Sequence, residues 1–522
     1  MRSIHFSKIA VLFFAVVLLP ISCKDIDNSE HLVAQAPLSI DANAGTWAPV
    51  FLNPINQIAV PAPTLVGSAA YLAELATIKD LQSKLTPAQK KSIEYWSVGG
   101  ILRWNQIFRA LVARYNLPPA PNPDGSYPGP DAENPFADPG FPFSNPPYAA
   151  RAYSYASVAQ YDALKAAWYY KYQYNRPAPY NVDPAIQSLM PKTDLPSYPS
   201  EDAVMSGAAA DILKSLFPAA IEEITLKAGE QRSAALWAGK ATPSDITAGL
   251  NLGKAVAAVF IARAGGDGMR NAIGSKPLWD GLKANAESRQ DVAWLSQDLP
   301  PRPPMLPFFG LNGVNGASVK CWSMTTQNII DVRPVPPPVA GSSEMAKELA
   351  EVKFYADNLD RGRLAIVHKW ADGVGTYSPP GHWNDIAEEY IRDARFSEVR
   401  AARAFALLNM SMHDAVVACW DTKYFYFNAR PAQLDPTIKT STGLPNFPSY
   451  VSGHSTFSAS AATVLSYLFP AGAKDFNTMS EEAAMSRLYS AIHYRTDCVA
   501  GTELGTKVAG FTVAFANGDG AN

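Results

Sequence analysis

Three short segments between residues 423 and 497 bring together side chains that bind anions and transfer protons. They hold three cations, two histidines and one carboxylate, namely Lys423, Arg430, Arg487, His454, His493 and Asp497. Arginine offers paired N–H donors that match the oxygens of a tetrahedral oxyanion, and histidine changes its charge near neutral pH. These residue types predict a pocket that binds an oxyanion and places acid–base groups beside it.

The middle segment ends at Ser452 and Gly453, where a run rich in alanine and serine predicts a helix over 452–468. Free backbone N–H groups at a helix N-terminus attract anions, and a serine hydroxyl adds a donor. Glycine lets the backbone approach a ligand closely. Ser452 and Gly453 are therefore predicted to bind the same oxyanion.

His493 and Asp497 are four residues apart, a spacing that places both on one face of a helix. The carboxylate of Asp497 would then fix the tautomer of the imidazole and leave its other nitrogen free to attack or to ligate. His454 remains as the predicted acid–base group.

The elements that must position these residues are predicted to be helices. Apolar residues recur at helical spacing over 87–116, 397–420, 452–468 and 499–516. No segment alternates as a strand does, and a hydrophobic fraction of 48% with only 17% charged residues suits a large buried interior. We therefore expect an all-α protein, with more than one core in its 522 residues and long proline-rich loops at 117–148 and 299–338.

An internal repeat divides the chain. Residues 196–219 match 448–471 at 12 of 24 positions, with an offset of 448 − 196 = 252. At the same offset, residues 244–268 match 496–520 at 12 of 25 positions. Agreement of separate blocks at one offset predicts an internal duplication that builds two related helical bundles.

The two copies differ in their histidines. Five of the seven histidines lie in the second copy or in the segment leading into it: His368, His382, His413, His454 and His493. At the offset of 252, the first copy has Asp202 opposite His454 and Ala241 opposite His493. We therefore interpret the first copy as structural and place the active site in the C-terminal bundle.

The other three histidines are weighed against structural roles. His413 is replaced by tyrosine in the first copy, whereas its neighbour Asp414 is kept as Asp162. Asp414 is therefore interpreted as a structural hydrogen-bonding residue, and His413 as a candidate that supports the site. His382, placed in a turn before a helix, is interpreted as structural, with the pocket rim as the alternative. His368 receives no role.

The N-terminus carries an export signal. Arg2 and Lys8 precede an apolar run that ends at Cys23, a pattern that resembles a bacterial lipoprotein signal whose cysteine becomes lipidated. The alternative is a secreted protein that loses Cys23 with the signal. The protein is expected at the bacterial cell envelope, on the periplasmic or surface face of the outer membrane, touching the membrane only through the lipid. A net charge of −3 leaves no basic excess for binding nucleic acid.

The chain is thus divided into five predicted segments. They are a lipoprotein-type signal at 1–23, an N-terminal extension at 24–84, a degenerate helical bundle at 85–270, a proline-rich connection at 271–343 and a catalytic helical bundle at 344–522. The three cysteines after the signal allow one disulfide at most.

The three chemical segments resemble a known signature, K-x6-RP, PSGH and SR-x5-H-x3-D. It belongs to the superfamily that joins type 2 phosphatidic acid phosphatases and vanadium-dependent haloperoxidases. All three spacings agree, except that Tyr450 and Val451 are inserted within the second motif. The chain is most similar to the bacterial chloroperoxidase-type branch, which implies two helical bundles with the active residues in the second.

The resemblance implies a role for each matching residue. Vanadate or phosphate would be bound by Lys423, Arg430, Ser452, Gly453 and Arg487. His493 would bond to the vanadium or attack the phosphorus, and Asp497 would orient it. His454 would be the acid–base residue. Trp420 and Phe447 resemble the aromatic pair that flanks vanadate in chloroperoxidase-like enzymes, with a position in the core as the alternative.

The predicted function is therefore a vanadium-dependent haloperoxidase, in which vanadate is the cofactor and hydrogen peroxide oxidises a halide. The alternative is an acid phosphatase that hydrolyses a phosphate ester through a phospho-His493 intermediate and needs no cofactor. A third interpretation is an oxyanion-binding lipoprotein without turnover. The retention of every charged signature residue argues against this third interpretation.

Overall fold

Helix starts follow the capping signals in the sequence. In the computed structural model, which describes residues 33–116, 146–298, 301–311 and 318–521, side chains at helix N-caps accept a backbone N–H of the first turn. Examples are Ser68, Thr86, Ser200, Thr242, Ser397 and Ser452. Each such hydroxyl satisfies an N–H that the helix leaves unpaired, which stabilises the helix by about 1 kcal/mol. The predicted signal with Cys23 lies outside the described residues.

The all-α fold class is confirmed, and the described residues form no β-strand beyond one isolated bridge. The α-helices are α1 (Ala69–Ser83), α2 (Pro87–Trp96), α3 (Gly100–Tyr115), α4 (Pro146–Tyr174), α5 (Pro179–Val182), α6 (Glu201–Leu216), α7 (Ile221–Trp237), α8 (Pro243–Gly265), α9 (Lys276–Ser288), α10 (Thr326–Val332), α11 (Ser343–Asp357), α12 (Arg361–Lys369), α13 (Ser378–Asp393), α14 (Glu398–Tyr426), α15 (Pro431–Leu434), α16 (Gly453–Leu468), α17 (Ala473–Tyr489) and α18 (Arg495–Gly518).

Four long helices of the N-terminal half have counterparts in the C-terminal half. We call α4, α6, α7 and α8 the first helical set, and α14, α16, α17 and α18 the second helical set. The starts of each pair differ by the sequence offset: 398 − 146, 453 − 201, 473 − 221 and 495 − 243 all equal 252. The repeat is therefore visible in the helix boundaries, while an origin by duplication stays a prediction, as do the five segment boundaries.

The two helical sets share one hydrophobic core. Helix α4 packs along α14, α6 packs against α8, and α16 packs against α18. Glycines let the paired helices approach closely: a Cβ atom on Gly505 would lie 2.2 Å from the carbonyl oxygen of Thr456, and one on Gly253 would lie 2.3 Å from that of Val204. Gly253 and Gly505 are themselves separated by 252, so both sets use the same close contact.

Buried carboxylates anchor the loops that cross each set. Asp162 accepts hydrogen bonds from the backbone N–H groups of residues 50–52 at 2.7–2.9 Å. Its counterpart Asp414 accepts from the backbone N–H groups of Trp322 and Ser323 at 2.8 and 2.7 Å. These contacts agree with the structural role predicted for Asp414, because each carboxylate satisfies loop amides that a core would otherwise leave unpaired.

Two predicted local structures differ in the observed fold. The helix expected over 87–116 is divided into α2 and α3, because Gly99 has a φ of 135°, which no helix allows. His382 lies inside α13 rather than in a turn before a helix. Helix α13 begins at Ser378 and has Pro379 and Pro380 in its first turn, where proline is well suited.

One helical stretch, Pro243–Asn271, is long and apolar enough to cross a membrane. Its side chains Leu252, Val256 and Phe260 are buried in the core, on the helix that packs against α6. The apolar composition of this stretch follows from that position.

Candidate active site

The predicted site residues come from the ends of helices in the second helical set. Trp420 and Lys423 lie near the end of α14, Arg430 precedes α15, Ser452 caps α16, Arg487 lies in the last turn of α17, and Asp497 lies in the first turn of α18. None of these residues, nor His493, is more than 2% exposed. The fold thus collects the predicted cations and the His–Asp pair in one buried place.

His493 and Asp497 form a hydrogen-bonded pair, with 2.8 Å between His493 Nδ1 and Asp497 Oδ2. The same carboxylate oxygen accepts from Ser449 Oγ at 2.5 Å and from the backbone N–H of Tyr494 at 3.2 Å. Because the Asp497 carboxylate accepts a hydrogen bond from Nδ1–H, the tautomer it favours leaves a lone pair on Nε2, and Arg430 Nη1 lies 3.4 Å from that nitrogen. His493 therefore presents an unprotonated nitrogen to the guanidinium.

The pair does not share a helical face, which corrects the sequence interpretation. Helix α18 begins at Arg495, so His493 precedes it and only Asp497 belongs to it. Asp497 is the third residue of the helix, where its carboxylate accepts from the N-cap backbone of Tyr494. One carboxylate therefore both caps the helix and orients the imidazole.

Lys423 holds the loop of the second motif. Its Nζ donates to the backbone carbonyls of Pro448, Ser449 and Val451. The inserted Tyr450 is held from the other side, since its backbone N–H donates to Asn428 Oδ1 at 2.9 Å. Because all three ammonium hydrogens have carbonyl acceptors, Lys423 contributes its charge to the site and shapes the loop.

Sequence reasoning did not single out Ser449 or Asn428. Ser449 contacts the carboxylate of the His–Asp pair, and Asn428 orients the loop backbone. For Ser449 a signal existed, since it is the serine of the Pro-Ser step in the second motif. Asn428 carried no such signal, because only the folded chain places it beside the loop.

Two buried nitrogens of the site have no hydrogen-bond partner among the described residues: Arg430 Nη2 and His454 Nε2. The other guanidinium nitrogens of Arg430 donate to the carbonyls of Phe447 at 3.0 Å and Ile492 at 2.7 Å, which fixes the side chain. Buried polar atoms are nearly always paired in proteins. The two nitrogens are therefore suited to the oxygens of a bound ligand.

The site carries more positive than negative charge. Burial lowers the pKa of Lys423 to about 8 and the pKa values of Arg430 and Arg487 to about 10. Burial and the same cations hold the pKa of both site histidines well below 6.5. The pKa of Asp497 is raised to about 6 by burial, against the opposing effects of Ser449 and Lys423. An oxyanion would stabilise all three cations, because it supplies the missing negative charge.

The predicted aromatic pair lies against the cations. The ring centroids of Trp420 and Phe447 are 5.0 Å apart, and Lys423 Nζ lies 5.0 Å from the Phe447 centroid. Trp420 Nε1 also donates to the carbonyl of Met305 at 3.1 Å, and its counterpart Trp168 donates in the same way to Ile40 at 3.0 Å. Trp420 thus lies beside the site cations and also holds a loop through a hydrogen bond that Trp168 makes in the same way in the first set.

Space for a ligand lies beside Gly453, at the N-terminus of α16. A Cβ atom on Gly453 would meet, apart from its own helix and within the described residues, only Trp420 Cζ3 at 3.9 Å. In the first set the corresponding residue is Glu201 (453 − 252), whose carboxylate lies 2.7 Å from Lys171 Nζ. Lys171 is the counterpart of Lys423 (423 − 252). The first set therefore places its own carboxylate where the second set has only a glycine.

The described residues contain no group of three or more His, Cys, Asp or Glu side chains that could hold a metal ion. The buried thiols of Cys419 and Cys498 are free. A metal that binds as an oxyanion does not need such a cluster of ligands. It needs one nitrogen ligand, together with hydrogen-bond donors for its oxygens. His493 Nε2, Arg430 Nη2 and the N-terminus of α16 provide that set, so the residues fit vanadate as well as phosphate.

Comparisons with known proteins found one family model and solved structures of similar fold. Residues 403–520, which include the whole site, match the model of the PAP2 superfamily. The chain is similar in fold to a bacterial vanadium-dependent iodoperoxidase, with a TM-score of 0.53 and 22% identity, over 71% of this chain and 91% of that chain. Apo and holo structures of bacterial vanadium-dependent chloroperoxidase give TM-scores of 0.47 and 0.44, at 12% and 13% identity, over 70% and 72% of this chain and 93% and 92% of theirs. The chain matches no curated protein sequence.

The chain is an all-α protein in which three buried cations gather around a buried His–Asp pair. Residues 403–520, which contain most of the second helical set, match the PAP2 superfamily model, in agreement with the sequence signature.

Proposed function

We propose that the protein is a vanadium-dependent haloperoxidase. The observation that carries this proposal is the contact of His493 Nδ1 with Asp497, which leaves Nε2 facing Arg430 in a site with three buried cations. The burial of these side chains favours reactants of few atoms, such as hydrogen peroxide and a halide, over a bulky phosphate ester. The fold shared with a vanadium-dependent iodoperoxidase supports the same choice.

The residues divide the work of holding vanadate. His493 Nε2 would be its single nitrogen ligand, and Arg430, Arg487 and Lys423 would balance its negative charge. The N-terminus of α16, at Ser452 and Gly453, would add backbone donors. Vanadate, when bound, supplies the chemistry that activates hydrogen peroxide towards a halide.

His454 would hold or release the proton that peroxide chemistry requires. Its Nε2 has no partner among the described residues, and its pKa is held well below 6.5 by burial and by Arg487. A bound oxyanion offsets the charge of the cations, so it raises the proton affinity of the imidazole towards neutral pH. His454 would then accept a proton from the incoming hydrogen peroxide and donate it to the peroxide oxygen that leaves when the halide is oxidised.

A phosphatase remains the second candidate, because the same site favours a nucleophilic histidine. In that reaction His493 Nε2 attacks the phosphorus, the ester oxygen leaves with a proton from His454, and water then hydrolyses the phosphohistidine. The oriented and unprotonated nitrogen of His493 is the observation that supports it.

One assay series separates the candidates. Purified protein is incubated with orthovanadate, hydrogen peroxide and each halide, and halogenation of a phenol is followed. Parallel samples receive an aryl phosphate. We expect halogenation that depends on vanadate, without phosphate release. Phosphate release without halogenation would establish the phosphatase instead, and oxyanion binding without either reaction would leave the non-enzymatic interpretation.

We also propose that the protein is an envelope lipoprotein, on the support of the sequence pattern that ends at Cys23. Expression in bacteria fed a labelled fatty acid should label the wild-type protein and leave Cys23→Ser unlabelled. Equal labelling of both proteins would contradict this proposal.

A further inference from the structure

A segment outside the signature lies against the site. Between α12 and α13, the backbone carbonyl of Trp370 accepts a hydrogen bond from Arg487 Nη2 at 2.9 Å. The backbone of the next residue, Ala371, lies near His454 and raises the pKa of its imidazole, against the larger lowering effect of burial. Two predicted site residues therefore lie against two consecutive peptide groups of this segment, which we call the 370–372 segment.

His382, on α13, contacts the 370–372 segment on both sides of Ala371. Its ring stacks on that of Trp370, with centroids 4.5 Å apart and planes at 23°. Its Nδ1 lies 3.0 and 3.2 Å from the two carboxylate oxygens of Asp372. The three side chains are largely buried, since Trp370 is 0% exposed and the side chains of His382 and Asp372 are 16% and 7% exposed.

We infer that His382 is a positioning residue: by stacking on Trp370 and hydrogen-bonding Asp372 it fixes the peptide groups that orient Arg487 and His454. This inference rests on the proposed oxyanion site, and it assigns a role to a histidine outside the signature.

The backbone explains why the 370–372 segment needs such a clamp. Asp372 has a φ of 45°, in the left-handed region that most residues avoid. Residues 371–373 have no regular secondary structure, and of their described backbone N–H groups that of Ala371 donates to the preceding helix, to the carbonyl of His368 at 3.3 Å. The contacts of His382 on either side of Ala371 therefore supply order that the backbone lacks.

The charges agree with this geometry. Burial lowers the pKa of Arg487, and Asp372 opposes that shift, so the carboxylate is near enough to stabilise the guanidinium charge. His382 is also among the groups that lower the pKa of His454, after burial and Arg487. His382 therefore lies close to His454, and its partner Asp372 lies close to Arg487, while neither belongs to the cluster that would contact the oxyanion.

The two contacts of His382 can be removed one at a time. His382→Phe keeps a ring on Trp370 and loses the hydrogen bond to Asp372, whereas His382→Asn keeps a donor near the position of Nδ1 and loses the stack. His382→Ala loses both. The matched control is His368→Ala, because His368 is exposed on the neighbouring α12.

The experiment measures binding of inorganic orthovanadate and phosphate by calorimetry, together with turnover and the unfolding temperature. His382→Ala should weaken orthovanadate binding by about 10- to 100-fold and change the pH profile of turnover, as loss of an orienting partner commonly does. His382→Phe and His382→Asn should each recover part of the affinity. His368→Ala should bind like wild type, and unfolding temperatures should stay close together.

Three results would overturn the inference. Wild-type affinity in His382→Ala would show that the clamp is dispensable. A loss of affinity that only follows a large drop in unfolding temperature, with no recovery in either partial variant, would show a role in stability alone. Failure of the wild-type protein to bind either oxyanion would reject the site itself, whereas binding without turnover would reject only the proposed function.

Discussion

The first and second helical sets have matching helices but balance charge in opposite ways. In the first set, Glu201 lies 2.7 Å from both Lys171 and Lys240, and Asp202 lies 2.8 Å from Lys240. In the second set, the hydrogen bonds of Lys423 Nζ among the described residues go to backbone carbonyls, and Gly453 stands where Glu201 stands in the first. The first set contains its own anion, and the proposed function has the second set take one from solution.

The pKa shifts follow this difference. Burial would raise the pKa of Glu201, but Lys171 and Lys240 lower it to about 2. Burial lowers the pKa of Lys423 to about 8, with no directly bonded carboxylate to oppose it. Two sets of helices with one framework therefore differ in how their buried lysines are neutralised, by a carboxylate in the first set and by backbone carbonyls alone in the described part of the second.

The largest effect is expected at the histidine that only the second set has. His493→Ala should lower turnover by about 10³-fold or more, because it removes the proposed ligand or nucleophile. The unfolding temperature should change little. Turnover is measured in the halogenation assay, with the phosphatase assay in parallel. Full activity of His493→Ala would show that another residue holds the oxyanion.

Removing the built-in anion should unfold the first set rather than stop the chemistry. Glu201→Ala leaves Lys171 buried without its carboxylate, which should lower the free energy of unfolding by about 3–5 kcal/mol. Urea denaturation measures this loss. The exposed Glu222→Ala on α7 is the control and should change stability by less than about 0.5 kcal/mol. Equal stability of the two variants would contradict the role of Glu201.

The second set should become like the first when it receives a carboxylate. Gly453→Glu is expected to place the new carboxylate near Lys423, where it would compete with the oxyanion and weaken phosphate binding by about 10²-fold, or about 2.7 kcal/mol. Gly453→Gln is the matched neutral control, and it should weaken binding less. If both variants lost affinity equally, bulk rather than charge would explain the effect.

The first set should respond to acid through Glu201. Its pKa is lowered in the folded protein, so its contribution to stability is present above the unfolded value of 4.5 and is lost as pH falls towards about 2. The difference in free energy of unfolding between wild type and Glu201→Gln should therefore shrink below about pH 4.5. Urea denaturation from pH 6 to pH 3 measures it, and a constant difference would exclude this linkage.

The smallest effect is expected from putting a histidine back into the first set. Asp202→His restores the counterpart of His454, but the first set still has Ala241 opposite His493 and keeps Glu201. No second site should appear, and in the His493→Ala background the halogenation rate should stay at the residual level. A gain in that background would mean that the first set retains a working pocket.

Local sequence signals predicted much of the fold because helices are built from neighbouring residues. The helix predicted over 452–468 is α16, which begins one residue later because Ser452 is its cap. The offset of 252 also predicted which helices would correspond, since paired helices with the same packing require the same spacing of apolar and small residues. The i, i+4 spacing of His493 and Asp497 predicted their contact, but not the helix cap that holds it.

The sequence by itself determined the all-α class and predicted the unequal halves and the residues that would bind an oxyanion. Only the tertiary structure decided that Ser449 donates to Asp497, that Glu201 pairs with Lys171 and Lys240 in the first set, and that His382 contacts both Trp370 and Asp372. Charge sign and residue type can be read along a chain. Which buried charge is paired depends on contacts between residues far apart in sequence, such as the 117 residues from Trp370 to Arg487, and only packing of the folded chain determines them.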